Sequence, residues 1–158
     1  NRVNRLVLIG AFVTLKDNPE VDTLWRDAVS GMTDPVDPAF ARSFQESSLN
    51  RPVPADFLAG VIDESLKLPA RVWRAALDAV RQEDRSALLG RIAVETTIIW
   101  GDRDGFCGHA EQDRLTRSIP RARLLTYEGT GHAPHWEEPA RAAADIVAAI
   151  GTTRQAAA

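Results

Sequence analysis

The chain has 158 residues, 44% of them hydrophobic and 26% charged, with a net charge of −3. That length suits one domain with a real core, and that charge leaves no basic field for nucleic acid. No apolar run approaches the roughly 20 residues of a membrane span, and the single cysteine, Cys107, excludes an internal disulfide and leans toward a reducing, cytoplasmic compartment.

The chain opens on Asn1 rather than methionine and enters an apolar segment at once, so it reads as the middle of a longer protein. The first predicted strand is RLVLIGAF, Arg5 to Phe12. TTIIWG (Thr96 to Gly101) and ARLLTYEG (Ala122 to Gly129) follow much later. All three are rich in β-formers and bounded by or contain glycine. Their near-continuous hydrophobicity suits strands covered on both faces, as in a parallel sheet.

Between the first two strands lies a long stretch with no strand signal. NPEVDTLWRDAVSGM, DPAFARSFQESSL, PADFLAGVIDESLKL and PARVWRAALDAVRQEDR each have an amphipathic pattern, and each opens with proline or an Asn/Asp-Pro pair. The stretch is too long for a crossover helix and reads as a helical cap over one end of the sheet. HAEQDRLTRSIP then separates the second and third strands as a helix. EEPARAAADIVAAI forms the last helix, with Pro139 in its first turn and the pair Glu137 and Glu138 suited to its N-terminus.

This order gives an α/β architecture: part of a doubly wound, mostly parallel sheet of about three strands with a helical cap insertion. The expected division is a core strand and lead-in over residues 1–18, a cap over 19–92, a second core segment over 93–151 and a flexible tail over 152–158.

Two loops leave the carboxyl ends of predicted strands, where open α/β sheets bind ligands. GDRDGFCGH follows the second strand and GTGHAPHW follows the third. If the strands are parallel neighbours, an aspartate in the first loop meets a histidine in the second. A carboxylate on one imidazole nitrogen fixes the tautomer and leaves the other nitrogen as a base. Asp102 and Asp104 both qualify by position, and His132 sits on the tightest glycine turn. Cys107 near His109 offers a thiol without a nucleophile elbow. Asp102, Asp104, Cys107 and His109 crowd one short loop, a poor frame for a closed metal site.

TTIIWGDRD followed by IPRARLLTYEGTGHAPHWEEPARAAADIVAAI resembles the C-terminal half of α/β-hydrolase-fold enzymes. The likeness runs from Val3 to Ile150. In that family a Gly-x-x-Asp turn carries the triad acid, and a Gly-His turn before the last helix carries the base. The resemblance therefore implies Asp104 as acid and His132 as base, with Asp102 bracing its turn. It implies a small-molecule substrate, no cofactor, no metal, no nucleic acid and no membrane partner, and leaves the oligomeric state open. Phe12, Trp25, Met32, Phe44 and Trp73 are candidates to line an apolar pocket under the cap, or to form the cap's own core.

The family's Gly-x-Ser-x-Gly elbow has no counterpart here. The nearest imitation, AVSGM around Ser30, lacks the first glycine. The expected function is thus an ester, lactone or related carbonyl hydrolase whose serine lies upstream, in about 90 to 130 further residues. The fragment alone is then expected to be inactive. Two alternatives stand beside it. One is a non-catalytic hydrolase-like ligand-binding or interaction module. The other, within enzymes, is a dehalogenase, an epoxide hydrolase or a C–C bond hydrolase.

Overall fold

The computed structural model describes residues 2–151; the expected tail at 152–158 lies outside the described residues. Three strands, β1 (Arg5–Ile9), β2 (Glu95–Gly101) and β3 (Ala122–Tyr127), form one parallel sheet in the order β1-β2-β3. The register pairs Leu8 with Ile98 and Ile98 with Leu124, so the apolar positions align across the sheet.

β1 is shorter than RLVLIGAF predicts. Gly10 turns the chain with a φ of 55°, a left-handed conformation that glycine adopts at no steric cost, while its N–H still donates to Ile99 O. Ala11 and Phe12 leave the sheet.

Successive residues of β2 face opposite sides of the sheet. Ile98 packs with Val13, Leu89, Leu115 and Ile119 on one face. Ile99 packs with Tyr127 and Ala142 on the other. The first face is covered by α5 (Ser86–Leu89) and α6 (His109–Ser118), the second by α8 (Pro139–Gly151). This is the doubly wound arrangement, with β2 the buried central strand and β1 half-buried throughout.

Between β1 and α5 the chain is helical. α1 (Pro19–Leu24) runs into a π-helical turn at Trp25–Val29, and α2 (Pro38–Ser47), α3 (Ala55–Leu66) and α4 (Ala70–Gln82) follow. The starts are those expected from Asn-Pro and Asp-Pro. Asn18 Oδ1 accepts from the N–H groups of Glu20 and Val21, and Asp37 Oδ1 from Ala39 N. These helices have their own core of Val29, Met32, Val36 and Ala70, with Trp25 and Trp73 packed against it. A further short helix, α7 (Pro134–Glu137), lies between β3 and α8 and was hidden in the sequence by the histidine turn.

Candidate active site

Because β2 and β3 are parallel neighbours, their C-terminal loops emerge side by side. The loop after β2 folds on Asp104. Its N–H donates to Gly101 O, and its Oδ1 accepts from the N–H groups of Phe106 at 2.8 Å and Cys107 at 2.9 Å. The second oxygen, Oδ2, meets His132 Nδ1 at 2.9 Å. With Asp104 as carboxylate, Nδ1 carries the proton and Nε2 keeps its lone pair. Nε2 has no hydrogen-bond partner among the described residues. The Asp104 side chain is fully buried while that of His132 is 30% exposed. The pair is anchored inside and open on one side.

Gly10 supports the ring from below. A Cβ there would fall 2.5 Å from His132 O and about 3.2 Å from the ring. Phe106 closes another side, edge-on to the imidazole with centroids 5.2 Å apart. Phe106 also approaches Phe44 at 6.3 Å and so joins the acid loop to the cap. Both aromatics line a groove of about 450 Å³ together with Leu24, Phe40 and Glu20. Its walls are mainly apolar.

Asp102 takes a different place. Its Oδ1 accepts from Gly129 N at 2.6 Å, and Arg103 N donates to Thr130 O, so this end of the loop laces itself to the histidine turn. His109 is exposed, with Nδ1 3.5 Å from Asp113 Oδ2 and the ring edge-on to Trp100. The loop therefore spreads Asp102, Asp104, Cys107 and His109 apart in role. A different trio, Asp104, Cys107 and His132, places three possible ligand atoms within 4.8 Å of one another. In that trio Asp104 is already committed on both oxygens. Burial, with the charges of Asp104 and Glu111 adding to it, pushes the Cys107 thiol well above its ordinary range. A protonated, fully buried thiol is neither a ready metal ligand nor a nucleophile.

Of the five apolar candidates, Phe44 lies on the groove. Met32, Trp25 and Trp73 pack in the cap core, where Trp73 meets Phe40 and Phe44 edge-on. Trp73 and Phe44 also line a second apolar cavity of about 260 Å³. Phe12 is half-buried on the segment after β1. Sequence reasoning missed Phe106, Phe40 and Leu24. Phe106 was within reach, two residues from Asp104; the other two needed the tertiary fold.

The acidic pair also behaves differently from expectation. Glu137 does not serve the last helix. It turns back to accept from the N–H groups of Gly131, Asn50 and Arg51. Glu138 pairs with Arg51 and Arg141.

A parallel sheet covered on both faces, with an aspartate turn after one strand and a histidine turn after the next, defines the α/β hydrolase class. Residues 40–139 match the alpha/beta hydrolase fold family, and the chain belongs to it. A mouse protein, monoacylglycerol lipase ABHD6, is 30% identical over 98 residues, which is 60% of this chain and 29% of the lipase. An esterase from Exiguobacterium antarcticum superposes with a TM-score of 0.82 at 23% identity, covering 96% of this chain and 59% of the esterase. A bromoperoxidase from Bacillus anthracis reaches the same TM-score of 0.82 at 16% identity, covering 96% of this chain and 59% of its own. At such identities these structures share the fold alone. The chain spans under a third of the lipase and about three-fifths of the solved structures. No helix among the described residues is long and apolar enough to cross a membrane.

Proposed function

We propose that this chain supplies the acid and the base of a hydrolase acting on an ester, lactone or related carbonyl compound, and that the nucleophile is a serine contributed by residues outside it. The observation that carries this reading is the Asp104–His132 bond at 2.9 Å, with no partner for Nε2 among the described residues and the His132 side chain 30% exposed. A serine delivered to Nε2 loses its proton to His132 as it attacks, and His132 returns that proton to the leaving group. Asp104 holds the ring in the Nδ1–H tautomer and stabilises the imidazolium. The share of relatives covered supports a nucleophile elsewhere, since a large part of each has no counterpart here. The apolar groove beside Phe106 supports a substrate with an apolar chain. The naming of two of these relatives as lipase and esterase favours an ester. In this reading residues 19–92 are the cap and 93–151 the core segment that carries the pair.

The test is made on the longer gene product. Asp104→Asn and His132→Ala are compared with the parent in turnover of an activated ester. Loss of turnover in both, with the fold retained by circular dichroism, supports the reading. Unchanged turnover in either variant overturns it. A gene product with no nucleophile elbow favours the non-catalytic module, and an aspartate in place of the elbow serine favours dehalogenase or epoxide chemistry.

A further inference from the structure

The histidine turn, residues 128–133, makes a dense set of contacts that the mechanism does not use, and they come from the cap. Glu137 Oε1 accepts from Gly131 N at 2.7 Å and from Asn50 N at 3.1 Å, and Oε2 accepts from Arg51 N at 2.8 Å. One carboxylate thus holds a peptide N–H next to His132 and two N–H groups of the cap. Arg51 answers from the other side. Its guanidinium donates to Gly129 O at 2.9 Å, to Glu128 O at 2.5 Å and to Glu138 Oε1 at 2.8 Å. Asn50 Nδ2 also donates to Gly129 O, and Ala133 N donates to Ser48 O at 3.2 Å. The backbones meet so closely that a Cβ on Gly131 would fall 2.7 Å from Ser48 O and 2.8 Å from Asn50 N.

We propose that Glu137, with Arg51 as its companion, is a positioning residue that ties the cap to the His132 turn, so that the pose of the cap sets the pose of the base. The proposal rests on the reading of His132 as a base. Three observations carry it. Glu137 and Arg51 hold Gly131 N and the carbonyls of Gly129 and Glu128 just ahead of His132, and Ser48 O, from the same cap link, holds Ala133 N just after it. The cap residues belong to the link between α2 and α3, and α2 carries Phe40 and Phe44 on the groove wall. Charge-assisted bonds to peptide N–H groups are short and directional, so they transmit position and not merely attraction. A shift of α2 on an incoming substrate is therefore passed through residues 48–51 to the ring of His132.

The test uses Glu137→Gln, Arg51→Ala and, as control, Glu128→Gln, whose exposed side chain makes none of these bonds. Glutamine keeps one acceptor oxygen but presents an amide N–H₂ where the second oxygen stood. On the longer gene product, the His132 ring signals and the Nδ1 proton are followed by NMR, and kcat and KM are measured. Glu137→Gln and Arg51→Ala are expected to move the His132 ring signals and to lower kcat about tenfold or more, with KM changed less. Glu128→Gln is expected to change neither. If Glu137→Gln does not fold, Arg51→Ala decides, because the substituted residue belongs to the cap. Ring signals and kcat that stay at parent values in a folded Arg51→Ala protein overturn the proposal, even where the melting temperature falls. If Asp104→Asn and His132→Ala leave kcat intact, the base reading fails, and the ring signals still judge the tie.

Discussion

The two turns that meet at the candidate site are held in opposite ways. The acid turn is built from within: Asp104 takes its N–H donors from Phe106 and Cys107 and gives its own N–H to Gly101, all within three residues. The histidine turn is held from outside. Its partners include Glu137 further along the chain, Asp102 and Arg103 in the neighbouring loop and Ser48, Asn50 and Arg51 in the cap, and Asn50 and Arg51 stand 77 to 79 positions from the turn residues they bind. A turn stabilised by its own residues keeps its shape when the rest of the molecule shifts. A turn stabilised by distant residues follows them. On the proposed reading the Asp104 turn keeps its own shape and the His132 turn takes its pose from the cap.

The sharpest way to break this contrast is to remove its meeting point. In a longer gene product that carries the proposed serine, Asp104→Asn is expected to lower turnover around 10⁴-fold with the fold intact, because an amide does not enforce the imidazole tautomer. His132→Ala is expected to do at least as much damage. This chain alone is expected to show no esterase activity. Ester turnover by the purified 158-residue chain, abolished by His132→Ala, would place a nucleophile inside it.

The next effect is on stability. Gly131→Ala forces the histidine turn off the cap, where the Cβ has no room, and is expected to cost about 3 kcal/mol in urea unfolding. Gly105→Ala, on the self-contained turn, meets no atom within 4 Å and is expected to cost well under 1 kcal/mol. Equal losses at the two glycines would erase the distinction between the turns. A smaller loss is expected for Asp102→Asn, about 1 kcal/mol, because asparagine keeps an oxygen for Gly129 N but gives up the charge. Its effect on turnover should be far below that of Asp104→Asn. The reverse ranking would exchange the two aspartates.

The same contrast decides what was legible in the sequence. Parallel strands and covering helices follow from runs such as TTIIW, whose residues need only be apolar to be buried on both faces. The aspartate and histidine were legible because each sits on a glycine turn at a fixed place in the strand–helix rhythm. Asp102, expected to brace its own turn, instead accepts from Gly129 N in the histidine turn, a partner that only the pairing of β2 with β3 brings near. The role of Glu137 was not. A glutamate before Pro139 has an ordinary explanation at a helix start, and nothing local reveals that its acceptors' donors are Asn50 and Arg51. Trp25, Met32 and Trp73 were equally ambiguous, since a large apolar side chain has the same pattern whether it lines a groove or fills a helical core. Gly10 ended β1 early because only the fold shows that the chain must bend there to pass beneath His132.

The last expected effect concerns the self-contained turn and its thiol. Cys107 is fully buried against Asp104 and the Gly10 carbonyl, with Sγ 3.9 Å from that oxygen. Burial first, then the charges of Asp104 and Glu111, raises its pKa well above that of a free thiol. The sign of the linkage follows. Below about pH 8.5 both folded and unfolded chains carry the thiol proton, and the stability it supports is fully present. Above that pH the unfolded chain releases the proton while the folded chain keeps it, so stability falls as pH rises toward the folded pKa. One unit above the free thiol's pKa the loss is about 1.4 kcal/mol. Tyr127, whose phenol is raised by burial and by Asp145, adds a like loss only from about pH 10, its own unfolded value. The interval between the two isolates Cys107. Cys107→Ala is expected to be less stable than the parent by about 1 kcal/mol at pH 7.5 through lost packing. It lacks the alkaline slope, so the two urea midpoints should converge by pH 9.5. Midpoints that stay parallel from pH 7.5 to 9.5 would mean that the thiol ionises in place, and that the acid turn opens to solvent as readily as the turn it faces.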